Sequence, residues 1–360
     1  MDFTKYVLKF DFRLGAILLV SFLLIDPAKT TAEVIKDEAD SLYYKDYPHL
    51  LTTRIYTSRK YTAFEVKHPD FPGKLNYTPT STLNLGVGAT YQDFTLNIAY
   101  GFGFMNPRRE ILETKYLDLQ AHIYPKKFVI DLFGQFYNGY YLERQASQNG
   151  GPIIFPDMSV RKFGGNFQYL FNGDKISLKA AFLQSAWQQR SAGSLLAGFE
   201  IYGGSVQNPF PILPQGLYSG PFSDFNRLNF FQIGPNLGYV YTLVFFRRVF
   251  ITGMASGNLS LGTQKIQDNI EEQGTWGLSS NMFLRGFVGY NSGRWSINAN
   301  YVSNQVQLVK NSSFSNNLST GNYRINFVYR FDVSPKLKSF LDQVHPKRFL
   351  PGGKNSLPSA

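Results

Sequence analysis

Four histidines, His49, His68, His122 and His345, are the only imidazoles in a 360-residue chain that has no cysteine. Acid–base and transition-metal chemistry can therefore be checked position by position. His122 has the most suggestive surroundings, because it keeps the alternating phase of Asp118 and Gln120, and a histidine beside carboxylates can serve as a general base. On a strand, however, Asp118 and His122 are about 13 Å apart along the axis, too far for direct contact. A partner has to come from a neighbouring strand, and Asp131, across the turn at Pro125, is the nearest in sequence. A barrel-wall hydrolase built on His122 and Asp131 is one reading. A hydrogen-bonded lumen histidine is the plainer one, and no catalytic residue is assigned.

Other chemistry finds less support. Scattered histidines without cysteine give no transition-metal spacing, and the acidic loop Asp268 to Glu272 reads as a solvated loop more readily than as a hard-cation site. Gly101-Phe102-Gly103 and Gly164-Gly165 lack the following helix that a phosphate cradle uses. No metal or cofactor is expected. What remains is a set of charges on the polar phase of the strands: Lys162, Lys179, Arg285, Arg324 and Arg330 against Asp118, Asp131 and Glu200. Together with Gln120 and His122, these are the lumen-lining candidates. In a narrow barrel they would pair and fill the interior; in a wider one the basic excess would favour anions.

The elements that must carry these residues are strands. Leu83, Leu85, Val87, Ala89 and Tyr91 alternate with Thr82, Asn84, Gly86, Gly88 and Thr90. After Gln92-Asp93 the pattern resumes with Phe94, Leu96, Ile98, Tyr100, Phe102 and Phe104. A period of two means strand. The polar phase carries Gly, Asn and Thr rather than Lys and Glu, which suits a crowded, hydrated lumen behind an apolar, aromatic exterior. The same grammar runs through Thr114 to Tyr124, Phe128 to Leu142 and 163–182, read as a hairpin about Asn172-Gly173-Asp174. It continues through Ser194 to Tyr202, Asn229 to Phe245, Phe250 to Leu261, Thr275 to Tyr290, Trp295 to Val306 and Asn322 to Phe331. Strands counted from the two ends disagree by one, so either 203–227 hides a further crossing or one of the neighbouring strands is misread. Leu51 to Val66 is a weaker first strand, since Ile55, Phe64 and Val66 do not keep one phase. The total is 12 to 14.

Composition agrees with this reading. Aromatic residues make 16% of the chain and charged residues only 17%, below the roughly 25% of soluble domains. Residues 1–32 read as a secretory leader, with Lys5, Lys9 and Arg13 before the apolar run Leu14 to Ile25. Residues 33–50 are expected to form a periplasmic lead-in, 51–331 the barrel, and 332–360 a proline-bearing periplasmic tail, in which Leu337 to Val344 could be a short interfacial helix. No stretch after the leader is a helical span, so a membrane location requires a closed barrel. The net charge of +11 points to anionic headgroups or a small anionic solute rather than nucleic acid. The expectation is therefore an all-β, transmembrane antiparallel barrel of the outer membrane, inserted by the barrel-assembly machinery. Its function would be that of a channel or small-solute binding protein, with a closed structural barrel as the alternative.

Two further observations bear on kinship. Arg324, Asn326, Tyr329 and Phe331 resemble the terminal assembly signal of outer-membrane proteins, with Asn326 where a glycine is usual. The strings Leu83 to Ala89, Phe94 to Phe102, Lys115 to Gln120, Tyr137 to Tyr141 and Gln188 to Ser194 resemble the domain-of-unknown-function family 4421. The resemblance implies an exported Gram-negative barrel with no established activity, and it supplies no catalytic residues to carry over.

Overall fold

The computed structural model describes residues 42–344 except 72, 93, 144–150, 269 and 311–313. The expected leader, residues 33–41 of the lead-in, and 345–360 of the tail with His345 lie outside the described residues. Fifteen strands follow one another. They are β1 (Tyr44–Asp46), β2 (Leu50–Lys67), β3 (Leu75–Thr78), β4 (Asn84–Tyr91), β5 (Phe94–Gly101), β6 (Lys115–Ile123), β7 (Phe128–Leu142) and β8 (Ile153–Leu170). Then come β9 (Ala186–Gln188), β10 (Ala192–Gln207), β11 (Arg227–Phe245), β12 (Val249–Gln267), β13 (Glu272–Asn291), β14 (Trp295–Gln307) and β15 (Ser315–Asp332), with a terminal helix α1 (Pro335–Val344). Among the described residues no helix is long and apolar enough to cross a membrane.

Ten strands close a ring of antiparallel ladders, in the order β2, β15, β14, β13, β12, β11, β10, β8, β7, β3 and back to β2. Closure is made twice over in different ways. Ser315–Asp332 pairs with Leu50–Lys67 along its whole length. On the opposite edge of β2 the short β3 bridges Phe64–Val66 of β2 to Tyr141 and Leu142 of β7. Three strands stand outside this ring. β4 pairs Thr52–Ser58 of β2 and β5 pairs β4, while β6 pairs Ile130–Asn138 of β7. They occupy the same edges that β3 bridges, but nearer the rim of short turns. No ladder joins β5 to β6. A bulge at Gly139, whose φ of +92° is open to glycine at little cost, hands the edge of β7 over from β6 to β3.

The outer faces carry the expected belt: Leu237, Tyr239 and Leu243 on β11, Leu259 and Leu261 on β12, and Ile325 and Phe327 on β15 are all exposed. Their alternate neighbours are buried or half-buried, as a membrane barrel requires. Many strands run to 18–20 residues, well beyond the ~9–11 that span a bilayer. The excess gathers at the long-loop rim, where the inward phase turns apolar. Phe64, Val66, Tyr202 and Leu228 there pack around Ile212, Leu213 and Phe225 of the 208–226 connection. This explains why Ile55 and Phe64 fall out of phase: Ile55 faces outward in the belt, and Phe64 faces inward in the cap.

Two expectations are corrected. Residues 176–182 are not a strand. Beyond β8 the chain turns into the barrel mouth, forms a single π-helical turn at Lys179–Leu183, and returns through β9, which pairs only with β1. Ile176, Leu178 and Leu183 bury themselves against Leu196, Val240 and Met254 of the wall. Lys179 is therefore a plug residue beside a second cavity of about 90 Å³ with Tyr44, Asp46 and Lys126, and not part of a lumen wall. The stretch 203–227 contains no further crossing, because β10 extends to Gln207 and β11 begins at Arg227. The one-strand mismatch came from reading the plug as a strand.

Candidate functional site

Between the apolar cap at the long-loop rim and the inward-folded plug at the short-turn rim lies a polar layer with a chamber of about 80 Å³. Strand alternation places six cations in this interior, Arg54, Lys60, Lys162, Arg285, Arg324 and Arg330, against the carboxylates of Asp118, Asp131 and Glu200. An excess of three positive charges follows with every carboxylate ionised.

The partners divide unevenly. Lys60 Nζ meets Asp118 at 3.0 Å, and Asp118 also accepts from Gln135 and from the Tyr137 hydroxyl, both at 3.2 Å. Asp131, fully buried, is saturated. It takes the Arg285 guanidinium in a close ion pair, the Tyr124 hydroxyl at 2.9 Å, Asn166 at 3.4 Å and His122 Nδ1 at 2.7 Å. Glu200 accepts from Asn236 at 3.1 Å. Arg330 has no carboxylate but donates to the carbonyl oxygens of Gln184 and Ser292 and to Asn291 Oδ1. Among the described residues three cations facing the chamber make no direct ion pair with a carboxylate. Arg54 donates to Thr90 Oγ1, to the Leu183 carbonyl at 3.0 Å and to Asn97 Oδ1 at 3.4 Å. Lys162 donates to Asn304 at 2.6 Å and Thr320 at 3.1 Å. Arg324 lies 4.3 Å from the Tyr56 ring centroid, and its Nε, like that of Arg54, is buried without a hydrogen-bond partner.

The structure thus brings His122 and Asp131 together on adjacent strands, in register. It also commits Asp131 to Arg285. His122 Nε2 faces Gln120 Oε1 at 3.4 Å, and no hydroxyl hydrogen-bonds to His122 among the described residues. Among the described residues His122 thus stands beside a carboxylate already paired with a guanidinium, an arrangement that differs from the nucleophile–base pair of a covalent hydrolase. Among the described residues no cluster of three metal-ligating side chains occurs either. Arg54 and Lys60 were not expected. Their signal is the even-numbered phase Arg54, Tyr56, Ser58, Lys60 and Thr62 of a strand whose far end obscured it.

Outside the barrel strands, Lys126 of the β6–β7 turn pairs with Asp174 at 2.7 Å. That hydrogen bond holds the Asp174 carboxyl below its ordinary range and ties the start of the plug to the wall. Tyr44 of β1 adds a hydrogen bond to the Gly173 carbonyl at 3.1 Å.

A closed antiparallel barrel with an apolar belt and a polar interior is what fold and site define. The sequence model of the family described as a domain of unknown function (DUF4421) matches residues 38–331, and the chain belongs to that family. No curated protein matches. Among solved structures, the outer membrane protease OmpT from Escherichia coli aligns with a TM-score of 0.37 and 10% identity, covering 81% of this chain and 100% of its own. The Pseudomonas putida toluene transporter TodX aligns at 0.23 and 8%, covering 79% and 91%. Neisserial surface protein A aligns at 0.22 and 9%, covering 77% and 97%.

Proposed function

We propose that this chain is an outer-membrane β-barrel that holds a small anionic group in a central chamber filled off at both ends of the lumen, with its short turns toward the periplasm. One observation carries the reading: among the described residues Arg54, Lys162 and Arg324 face the chamber with no carboxylate in direct ion-pair contact, Asp118 and Glu200 acting on Lys162, and Asp118 on Arg324, only from a distance. Uncompensated buried charge is costly, so an anion in the chamber would stabilise the protein as well as be bound by it. The cap and the plug argue for occupancy over free conduction, since each end of the lumen is filled by side chains. Among the sequence-based alternatives, a solute-binding barrel is therefore favoured over an open pore.

Two measurements on the refolded full-length protein test the reading. In a planar bilayer the wild type should insert without steady conductance; steady openings would overturn the filled lumen. Modification of Arg324 by phenylglyoxal, followed by mass spectrometry, should slow in the presence of inorganic phosphate. An unchanged rate would overturn the anion site.

A further inference from the structure

Among the described residues no ladder crosses the wall at the seam between β5 and β6. The printed ladders of these strands run to β4 and β7 on their other edges, and lipid alone cannot satisfy an open sheet edge. Outside, the lips carry Leu96, Ile98 and Tyr100 on β5 and Leu117, Leu119 and Ile123 on β6, all exposed. Inside, Asn97 and the pair Gln120 and His122 reach the chamber from opposite lips. Burial marks the seam as an opening: the inward phase of β12 is buried throughout, whereas on β6 the inward Tyr116, Gln120 and His122 are only half-buried, and Asn97 is exposed. The seam is bounded toward the long-loop rim, where Tyr116 donates to Asn84 Oδ1 at 2.9 Å and Lys60 grips Asp118 across it.

We infer that this seam is a lateral portal through which a lipid with an anionic headgroup enters from the surrounding membrane, placing the headgroup beside Arg54 and Arg324 and leaving its acyl chain in the bilayer. The inference rests on the chamber being an anion site and adds the route and the ligand class. Size agrees. At roughly 15 Å³ per water, measured the same way, about 80 Å³ accommodates a phosphate or carboxylate head but not a chain. Charge agrees too, since Arg54 spans from the chamber to Asn97 on the β5 lip at 3.4 Å. The outward apolar residues of both lips provide a surface for the chain.

The test uses the full-length protein in nanodiscs with a lysophosphatidate that carries a diazirine close to its head. Adducts mapped by mass spectrometry should concentrate on 94–101 and 115–123, at least fivefold over the outer faces of β12 and β13. They should fall at least fivefold when the head is phosphocholine or the protein is Arg324→Gln, and recover in Arg324→Lys. Even labelling around the belt, or labelling indifferent to headgroup and to Arg324→Gln, would overturn the portal. So would lips cross-linked to a second copy in place of lipid. If Arg324→Gln does not fold, the headgroup comparison on the wild type decides alone. Phosphate protection of Arg324 separates the two levels: protection without lip labelling removes the portal and leaves the chamber, whereas loss of both removes both.

Discussion

Arg330 donates twice to the carbonyl oxygen of Gln184, from Nε at 2.9 Å and from a terminal nitrogen at 2.5 Å. Gln184 follows the π-helical turn in a left-handed conformation, with φ of 51°, so its carbonyl is not used by a continuing helix. Arg54 takes the neighbouring Leu183 carbonyl. Two arginines from adjacent strands thus fasten the free end of the plug, as basic side chains do at helix C-termini. Charge-assisted hydrogen bonds contribute about 1.5–3 kcal/mol each. Arg330→Gln should therefore loosen the plug and give flickering conductance where the wild type is silent. A mutant as silent as the wild type in planar bilayers would show that the plug is held by packing alone.

Asp131 is the hub of the interior, and its partners decide what its loss would cost. Asp131→Asn leaves the Arg285 guanidinium buried beside a neutral amide, which should destabilise the barrel by about 3–5 kcal/mol. Replacing the pair together, Asp131→Leu with Arg285→Met, should recover most of that loss. Urea midpoints in detergent micelles measure both. Equal losses for the single and double variants would mean that the pair is not energetically coupled.

His122→Ala removes one of four donors to Asp131 while Arg285, Tyr124 and Asn166 remain. The expected loss is about 0.5–1.5 kcal/mol, with phosphate protection of Arg324 unchanged. An ester or lipid hydrolysis that this variant abolished would restore the catalytic reading in place of the binding one.

Gly86 sits under the Tyr56 ring, where a Cβ would come within 2.2 Å of the ring carbons. The ring in turn faces Arg324. Gly86→Ala should push the ring aside and raise the rate of phenylglyoxal modification at Arg324 at least twofold. Gly253→Ala, where a Cβ meets nothing within 4 Å, should leave that rate alone. The glycine on the polar phase is thus a seat for an aromatic ring, a common device in membrane sheets.

Much of the wall was legible because one physical fact dominates it. Lipid outside and polar side chains inside impose a strict period of two, and Leu85, Leu96, Leu237 and Phe327 declare it. The pattern failed where the environment changes along one strand, as from Ile55 in the belt to Phe64 in the cap. It also misled where a short plug imitates alternation, as at Ile176, Leu178, Ala180 and Phe182, because four positions do not separate a strand from a coil buried on one side. Lys179 was misplaced with them. The seam could not be read at all: adjacent hairpins in a barrel are expected to pair, and nothing in the side chains of β5 and β6 announces that their backbones do not.

In a barrel of this kind the joint between first and last strands is where closure has to be completed. Here that joint is the full-length ladder of β2 with β15, and the weak line lies inside the chain. Unzipping under force or heat should therefore start from the open edges of β5 and β6, peeling them from β4 and β7, and leave the two ends of the barrel clasped. A circular permutant cut in the 103–114 connection, with the old ends linked, would place its new termini on the line where the wall already parts, and should insert without losing a single ladder.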